Sequence, residues 1–170
     1  MIEEHDHEYR TGIGTDIHEV ASGRKLMLGG VYIEHPMGLA GHSDGDVVLH
    51  AVVDALLGAA GMGDIGTLFP DTDPKWKDAD SKEFLLTTKE LLEDKRWIVV
   101  NVDLTIHAEQ PRLEPYKKQI KRCIASLLGI DFEAVNVKAK TNEGFGDIGT
   151  GDAVASTAIV LIRRKYRRTL

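Results

Sequence analysis

Cysteine is almost missing from this 170-residue chain, where Cys123 stands alone. A disulfide framework within one chain is excluded, and the usage suits a reducing compartment. Long hydrophobic runs are missing too. No apolar stretch approaches the ~18 residues of a membrane span, so no membrane partner is expected. Positive charge is in deficit: 21 Lys and Arg face 27 Asp and Glu, for a formal net charge of -6. That balance argues against generic nucleic-acid binding. The opening MIEEHDHEYR is acidic and polar, unlike a secretory leader, and the expected location is cytoplasmic. A phosphate-loop GK[ST] motif is absent, and neither GIGTD nor GFGDIG fits the dinucleotide fingerprint in spacing and context.

What is present suffices for one folded domain over 1–170. Hydrophobic residues make up 42% of the chain and charged residues 28%, enough for a core and unlike a disordered chain. Residues 1–8 read as a frayed start in which His5 and His7 alternate with acids, and 163–170 as a basic, solvated tail. Cys123 falls on the apolar side of a helix and reads as a buried structural thiol.

Residues 9–15 read as a short strand entering a turn kept accessible by Gly12 and Gly14. RKLMLGGVYIE reads as a hairpin and HPMGLAGHS as a loop. Ser43 is placed to cap a helix running to about residue 60, with Asp44 and Asp46 in its first turn. The stretch GMGDIGTLFPDTDPKWKDADS has no sustained period, and so long a connection has a job or is mobile. Ser81 then caps a helix over roughly 82–94. WIVVNVDLTIHA is the clearest strand, with Val100, Val102, Leu104 and Ile106 on one face. A helix follows Pro115 and ends at Leu128 with Gly129 as its C-cap. AVNVKAK is a strand, TNEGFGDIGTGD a loop, and AVASTAIVLIRRK a final strand. This irregular alternation predicts an α/β (α+β) fold: a single two-layer domain with a mixed β-sheet packed against helices.

The chemistry starts at the run GIGTDIH. Asp16 and His18 are two residues apart and share a face if strand geometry persists. His50 lies in the first long helix, flanked one turn away by Asp46 and Asp54. One carboxylate and two imidazoles form the ligand set of a single divalent metal with a position left open, zinc being the first choice for such donors. His42 is an alternative ligand to His50. His42 and Ser43 precede the helix and could donate to an anion. Thr141, Asn142 and Glu143 end a strand; Glu143 suits a second, harder cation such as Mg²⁺. Asp64 and the run FPDTD could read a polyol, and Arg112 could clamp a phosphate.

The strings DIH, LAGHSDGDVVLHAVVDALLGAAGMGDIGTLFPDTDP, NVDLTI and NVKAKTNE closely resemble the 2-C-methyl-D-erythritol 2,4-cyclodiphosphate synthases of the non-mevalonate isoprenoid pathway, from about residue 10 to 162. The resemblance implies a homotrimer, with the sheets around its threefold axis and active sites at subunit interfaces. It implies one Zn²⁺ per site on Asp16, His18 and His50, and Mg²⁺ or Mn²⁺ on Glu143 beside the substrate diphosphate. The implied reaction converts 4-diphosphocytidyl-2-C-methyl-D-erythritol 2-phosphate to the cyclic 2,4-diphosphate and CMP. By the same resemblance His42 and Thr141 stabilise the transition state, and Ser43 contacts a substrate phosphate. Asp64, Ile65 and Gly66 form the segment holding the ribose diol. Phe69, Pro70, Asp71, Thr72 and Asp73 cover the methylerythritol. Ala108, Gln110, Pro111, Arg112 and Leu113, with Lys140, Thr141 and Asn142, shape the cytosine and phosphate pocket.

Two departures stand out. Where many members read TTTE, this chain has KTNE, residues 140–143. Where many carry an aromatic and an arginine in the next glycine-rich loop, it has Asp147 and Thr150. Two rivals share the same residues: a metal-dependent phosphohydrolase, which would give a linear product, and a non-catalytic module that binds cytidine nucleotides without releasing CMP.

Overall fold

The structure is a computed structural model and describes residues 7–165. His5 and residues 166–170 lie outside the described residues. In chain order the elements are β1 His7–Ser22, β2 Leu26–Leu28, β3 Val31–Ile33, β4 Met37–Leu39, α1 Val47–Ala60, α2 Ile65–Leu68, α3 Ser81–Asp94, β5 Ile98–His107, α4 Lys117–Leu128, β6 Val135–Lys140, α5 Gly146–Thr150 and β7 Ala153–Lys165. Single 3₁₀ turns cover Pro74–Trp76 and Phe132–Ala134.

Five strands form one sheet in the order β4-β1-β7-β5-β6, and β2 and β3 make a separate hairpin. β7 runs antiparallel to both β1 and β5, whereas β5 and β6 are parallel and joined through α4. The sheet is therefore mixed and carries helices in a second layer, the expected two-layer domain. α1 is buried almost all round, as a helix without a polar face must be.

Glycine in β1 sets how close α1 comes. A Cβ on Gly12 would lie 2.0 Å from the Ala55 carbonyl oxygen, and one on Gly14 would lie 2.1 Å from that of Ala51. The two glycines do not open a turn. They let strand and helix backbones touch, and β1 runs on straight through Asp16 and His18 to Ser22.

Other local expectations also shift. Asp46, not Ser43, caps α1: its carboxylate accepts the N–H groups of Val48 and Leu49. It also accepts those of Gly29 and Gly30 in the β2–β3 turn. That second engagement fixes the helix start one turn later than the local pattern suggests. Asp80, not Ser81, caps α3. Met37–Leu39, read as loop, pairs with β1, and the glycine-rich loop contains α5. A bulge between Val99 and Asn101 puts Val99 rather than Val100 in the core. Gly129 is the C-cap of α4, in the left-handed conformation. Cys123 is half-buried beside Gly30 and Lys82, and burial raises its thiol pKa.

The described parts of the two end segments, 7–8 and 163–165, belong to strands β1 and β7. His7 and Glu8 pair with Lys165 and Arg164 as strand. Arg10 and Arg164 both donate to Glu8, and both guanidinium groups lie over the buried ring of Trp97, at 4.9 and 4.3 Å.

On the face turned away from the helices, Tyr9, Ile13, Ile17 and Ile159 remain half exposed or more. Ile13 and Ile159 are direct partners across β1 and β7. Toward β5 and β6 the same face becomes polar, with Lys138 bonded to Asp103.

Candidate metal centre

The contact between β1 and α1 brings one point of the helix onto one point of the strand. His50, on the first turn of α1, meets Asp16 and His18. Asp16 Oδ2 lies 2.9 Å from His18 Nε2 and 2.9 Å from His50 Nδ1. The two ring nitrogens are 3.2 Å apart. Ligands about 2.0 Å from one ion at tetrahedral angles are separated by about 3.3 Å, so this donor set fits a single tetrahedral ion with little movement.

The Ala40 backbone beside His18 favours its protonated ring. The second nitrogen of His50 turns to two hydroxyl oxygens. His50 Nε2 lies 3.1 Å from Ser43 Oγ and 2.9 Å from Ser81 Oγ. Such outer partners fix tautomer and ring angle at metal sites. Burial alone would raise the Asp16 carboxyl; hydrogen bonds from His18 and His50 outweigh it and hold the pKa at about 2. Burial would lower His18, but its contact with the Asp16 carboxylate prevails and its pKa is raised.

Among the described residues, Asp16, His18 and His50 form the one group arranged to hold a metal. His42, the alternative ligand, is exposed and stands outside the group. Asp46 and Asp54, expected to share the His50 face, are engaged elsewhere. Asp46 is fully buried at its cap, where burial raises its pKa against the backbone N–H groups it accepts. Asp54 accepts the N–H of Ile65.

The triad opens onto a cleft of about 370 Å³ lined by His42, Ser43, Ile65, Gly66, Phe69, Asp71, Trp76 and Phe84, with His18 and His50 at its base. The long connection after α1 is thus a wall of the cleft. Aromatic contacts pin it there: Phe69 stacks on Phe84 at 4.7 Å, and Trp76 packs edge-on against both. Asp64 caps α2, and hydrogen bonds from the Thr67 hydroxyl and N–H lower its pKa. Asp73 caps the Pro74–Trp76 turn. Pro70 and Thr72 belong to the same wall without lining the cleft.

The remaining expected residues gather elsewhere, at the ends of β5 and β6. Ala108 donates its N–H to the Lys140 carbonyl, and the Asn142 N–H reaches Glu109. Thr141 donates to Glu143, which is held at a positive φ of 52°. Gln110, Pro111, Arg112 and Leu113 continue from Ala108 through a cis Gln110–Pro111 bond. Three strand steps separate β1 from β6, on the order of 14 Å at the usual spacing. None of residues 108–113 and 140–143 lines the cleft at the triad.

Sequence reasoning missed Ser81, Trp76 and Phe84. Ser81 looked like a cap, Phe84 like core, and Trp76 lay in the connection without a period, so none carried a site signal.

A mixed sheet with helices in one layer and an Asp–His–His cluster open to a cleft defines a single-domain α/β protein with a candidate metal centre. The family follows from comparison: the chain matches the YgbB family over residues 9–163 and belongs to it. It is 50% identical over 157 residues to the 2-C-methyl-D-erythritol 2,4-cyclodiphosphate synthase of Bordetella avium, covering 92% of this chain and 97% of that one. The protein of the same name from Chlorobaculum tepidum is 52% identical over 153 residues, covering 90% and 98%. Among solved structures, the bifunctional IspDF from Campylobacter jejuni superposes with a TM-score of 0.90 at 42% identity, over 94% of this chain and 43% of that longer one. The CDP complex of IspF from Plasmodium falciparum gives 0.82 at 37%, over 93% and 97%.

Proposed function

We propose that this chain is a cyclodiphosphate synthase. It converts 4-diphosphocytidyl-2-C-methyl-D-erythritol 2-phosphate to 2-C-methyl-D-erythritol 2,4-cyclodiphosphate and CMP. The observation that carries the reading is the triad of Asp16, His18 and His50 at the base of a cleft whose aromatic wall carries a few polar groups. An oxygen of the 2-phosphate bonds to the β-phosphorus of the same molecule, and the bond from that phosphorus to the bridging oxygen breaks, so the electron pair leaves with CMP. The nucleophile belongs to the substrate, which leaves the protein to orient it and balance charge. A divalent ion bound at the triad supplies polarisation of a phosphoryl oxygen. Zinc suits the two nitrogens and one carboxylate, and Mg²⁺ or Mn²⁺ suits Glu143.

His42 and Ser43, on the cleft wall, donate toward phosphate oxygens, and Thr141 does so from the second group. Asp64, Ile65 and Gly66 hold a diol, and residues 69–73 cover the methylerythritol. Ala108, Gln110, Pro111, Arg112, Leu113, Lys140 and Asn142 take the cytidine end. The wide separation of the two groups within one chain is resolved by a homotrimer in which the cleft of one subunit faces residues 108–113 and 140–143 of the next. The apolar stripe of Ile13, Ile17 and Ile159 supplies a face for that assembly. The enzyme works in the cytoplasm; among the described residues no helix is long and apolar enough to cross a membrane.

The test is incubation with the diphosphocytidyl substrate, Zn²⁺ and Mg²⁺, followed by phosphorus NMR. Equal amounts of cyclic diphosphate and CMP are expected. A linear phosphate product would mean hydrolysis, and no turnover by metal-loaded protein would overturn the assignment.

A further inference from the structure

We propose that Asp44 and Ser81 together orient His50 for metal binding: a carboxylate–serine–histidine chain in which neither outer residue touches metal or substrate. The inference rests on the triad being a metal centre. His50 turns Nδ1 toward Asp16, so with a metal on Nδ1 its proton must sit on Nε2. That N–H is buried and needs an acceptor. Ser81 Oγ lies 2.9 Å away and is fully buried. Its own hydrogen is committed, because the hydroxyl donates to Asp44 Oδ1. A hydroxyl whose proton is held by a carboxylate offers only lone pairs to the histidine, and the pair therefore selects the Nε2–H tautomer.

The backbone holds this chain in place. The Asp44 N–H donates to the Ala79 carbonyl, and the Asp78 N–H donates to the His42 carbonyl. The Ser81 N–H donates to Asp44 Oδ2. The start of α3 is thereby tied to the segment preceding α1, and the Phe84 ring, one turn on, lies tilted beside His50 at 5.8 Å. Ser43 has a different job. Its oxygen accepts the Gly45 N–H at 3.3 Å and lines the cleft, and it makes no bond to a carboxylate. Its oxygen lies 3.1 Å from His50 Nε2 and 3.3 Å from Ser81 Oγ, to which its hydroxyl donates because the Ser81 proton is held by Asp44; Ser81 is the nearer partner of the ring nitrogen, at 2.9 Å.

The experiment is zinc titration against a competing chelator, with thermal melts of the metal-free proteins alongside. The wild-type chain is expected to bind one Zn²⁺ per subunit. S81A and D44A should each weaken zinc binding about 10–100-fold, measured below the metal-free melting midpoint, which D44A lowers because the Ser81 N–H loses its acceptor. The S81A/D44A double variant should lose no more than either single one, because Asp44 acts through Ser81. D44N keeps an oxygen for the hydroxyl and should restore most of the affinity. Unchanged zinc affinity in S81A, or additive losses in the double variant, overturns the proposal. Absence of zinc binding by the wild-type chain overturns the metal reading and the orienting role with it.

Discussion

His18 Nε2 and His50 Nδ1 stand 3.2 Å apart, and both face the same oxygen of Asp16. The pairing joins a strand residue to a helix residue 32 positions away in the chain. Removing His50 takes away one of three ligands and leaves the other two without a closed set. H50A is expected to lose bound zinc and about 10³-fold in cyclic diphosphate formation. That corresponds to several kcal/mol of charge stabilisation at about 1.4 kcal/mol per decade. Metal analysis and phosphorus NMR on the same sample check both losses.

In chelated protein the same contacts make stability depend on pH. The Asp16 pKa is depressed, so its contribution is present above the ordinary 3.8 and lost as pH falls toward about 2. The His18 pKa is raised, so its contribution is complete below the ordinary 6.5 and lost as pH rises through the raised value. Metal-free protein should gain most from this pair between about pH 4 and 6.5. H18Q should flatten the alkaline side of that profile in thermal melts, and an unchanged profile would refute the pairing.

The exposed face of the sheet predicts an assembly. Ile13 and Ile159 sit opposite each other on β1 and β7, and both are about half exposed or more. I159K should convert the proposed trimer to monomers in analytical ultracentrifugation. Zinc binding should survive, since all three ligands come from one chain, while turnover should fall by at least about 100-fold with the interface lost. A trimeric and fully active I159K would show that this face does not join subunits.

Asp46 binds two distant pieces of chain. Its carboxylate accepts from Gly29 and Gly30 in one turn and from Val48 and Leu49 at the helix start. D46A leaves those N–H groups short of a buried acceptor, so a loss of about 3 kcal/mol is expected in urea unfolding. A change under about 0.5 kcal/mol, the range of ordinary surface substitutions, would contradict this role.

The sheet, its helices and the Asp16–His18–His50 cluster were legible because their signals are local. Alternation marks β5, and the two-residue spacing of Asp16 and His18 puts both on one face of β1. The family resemblance in HSDGDV and GDIG supplied the cleft wall. The misreadings at Ser43 and Ser81 share one cause. In SDGD and in ADS several adjacent residues can cap a helix, and local propensity cannot choose among them. The choice is made by contacts from elsewhere: the Gly29–Gly30 turn claims Asp46, and His50 claims Ser81. The strand at residues 7–8 and 163–165 was hidden for a similar reason, since Glu8, Trp97 and Arg164 are brought together only by the sheet.

The glycines of β1 have a consequence for tolerance to change. With no side chain between strand and helix at positions 12 and 14, ligand spacing is a main-chain dimension, fixed where carbonyl oxygens of α1 rest on β1. The apolar residues around it can be exchanged for others of like volume without altering the spacing of the triad, because none of them serves as the spacer. The centre is thereby insulated from drift in the core that supports it, and its fragility is confined to two positions that carry no functional group at all.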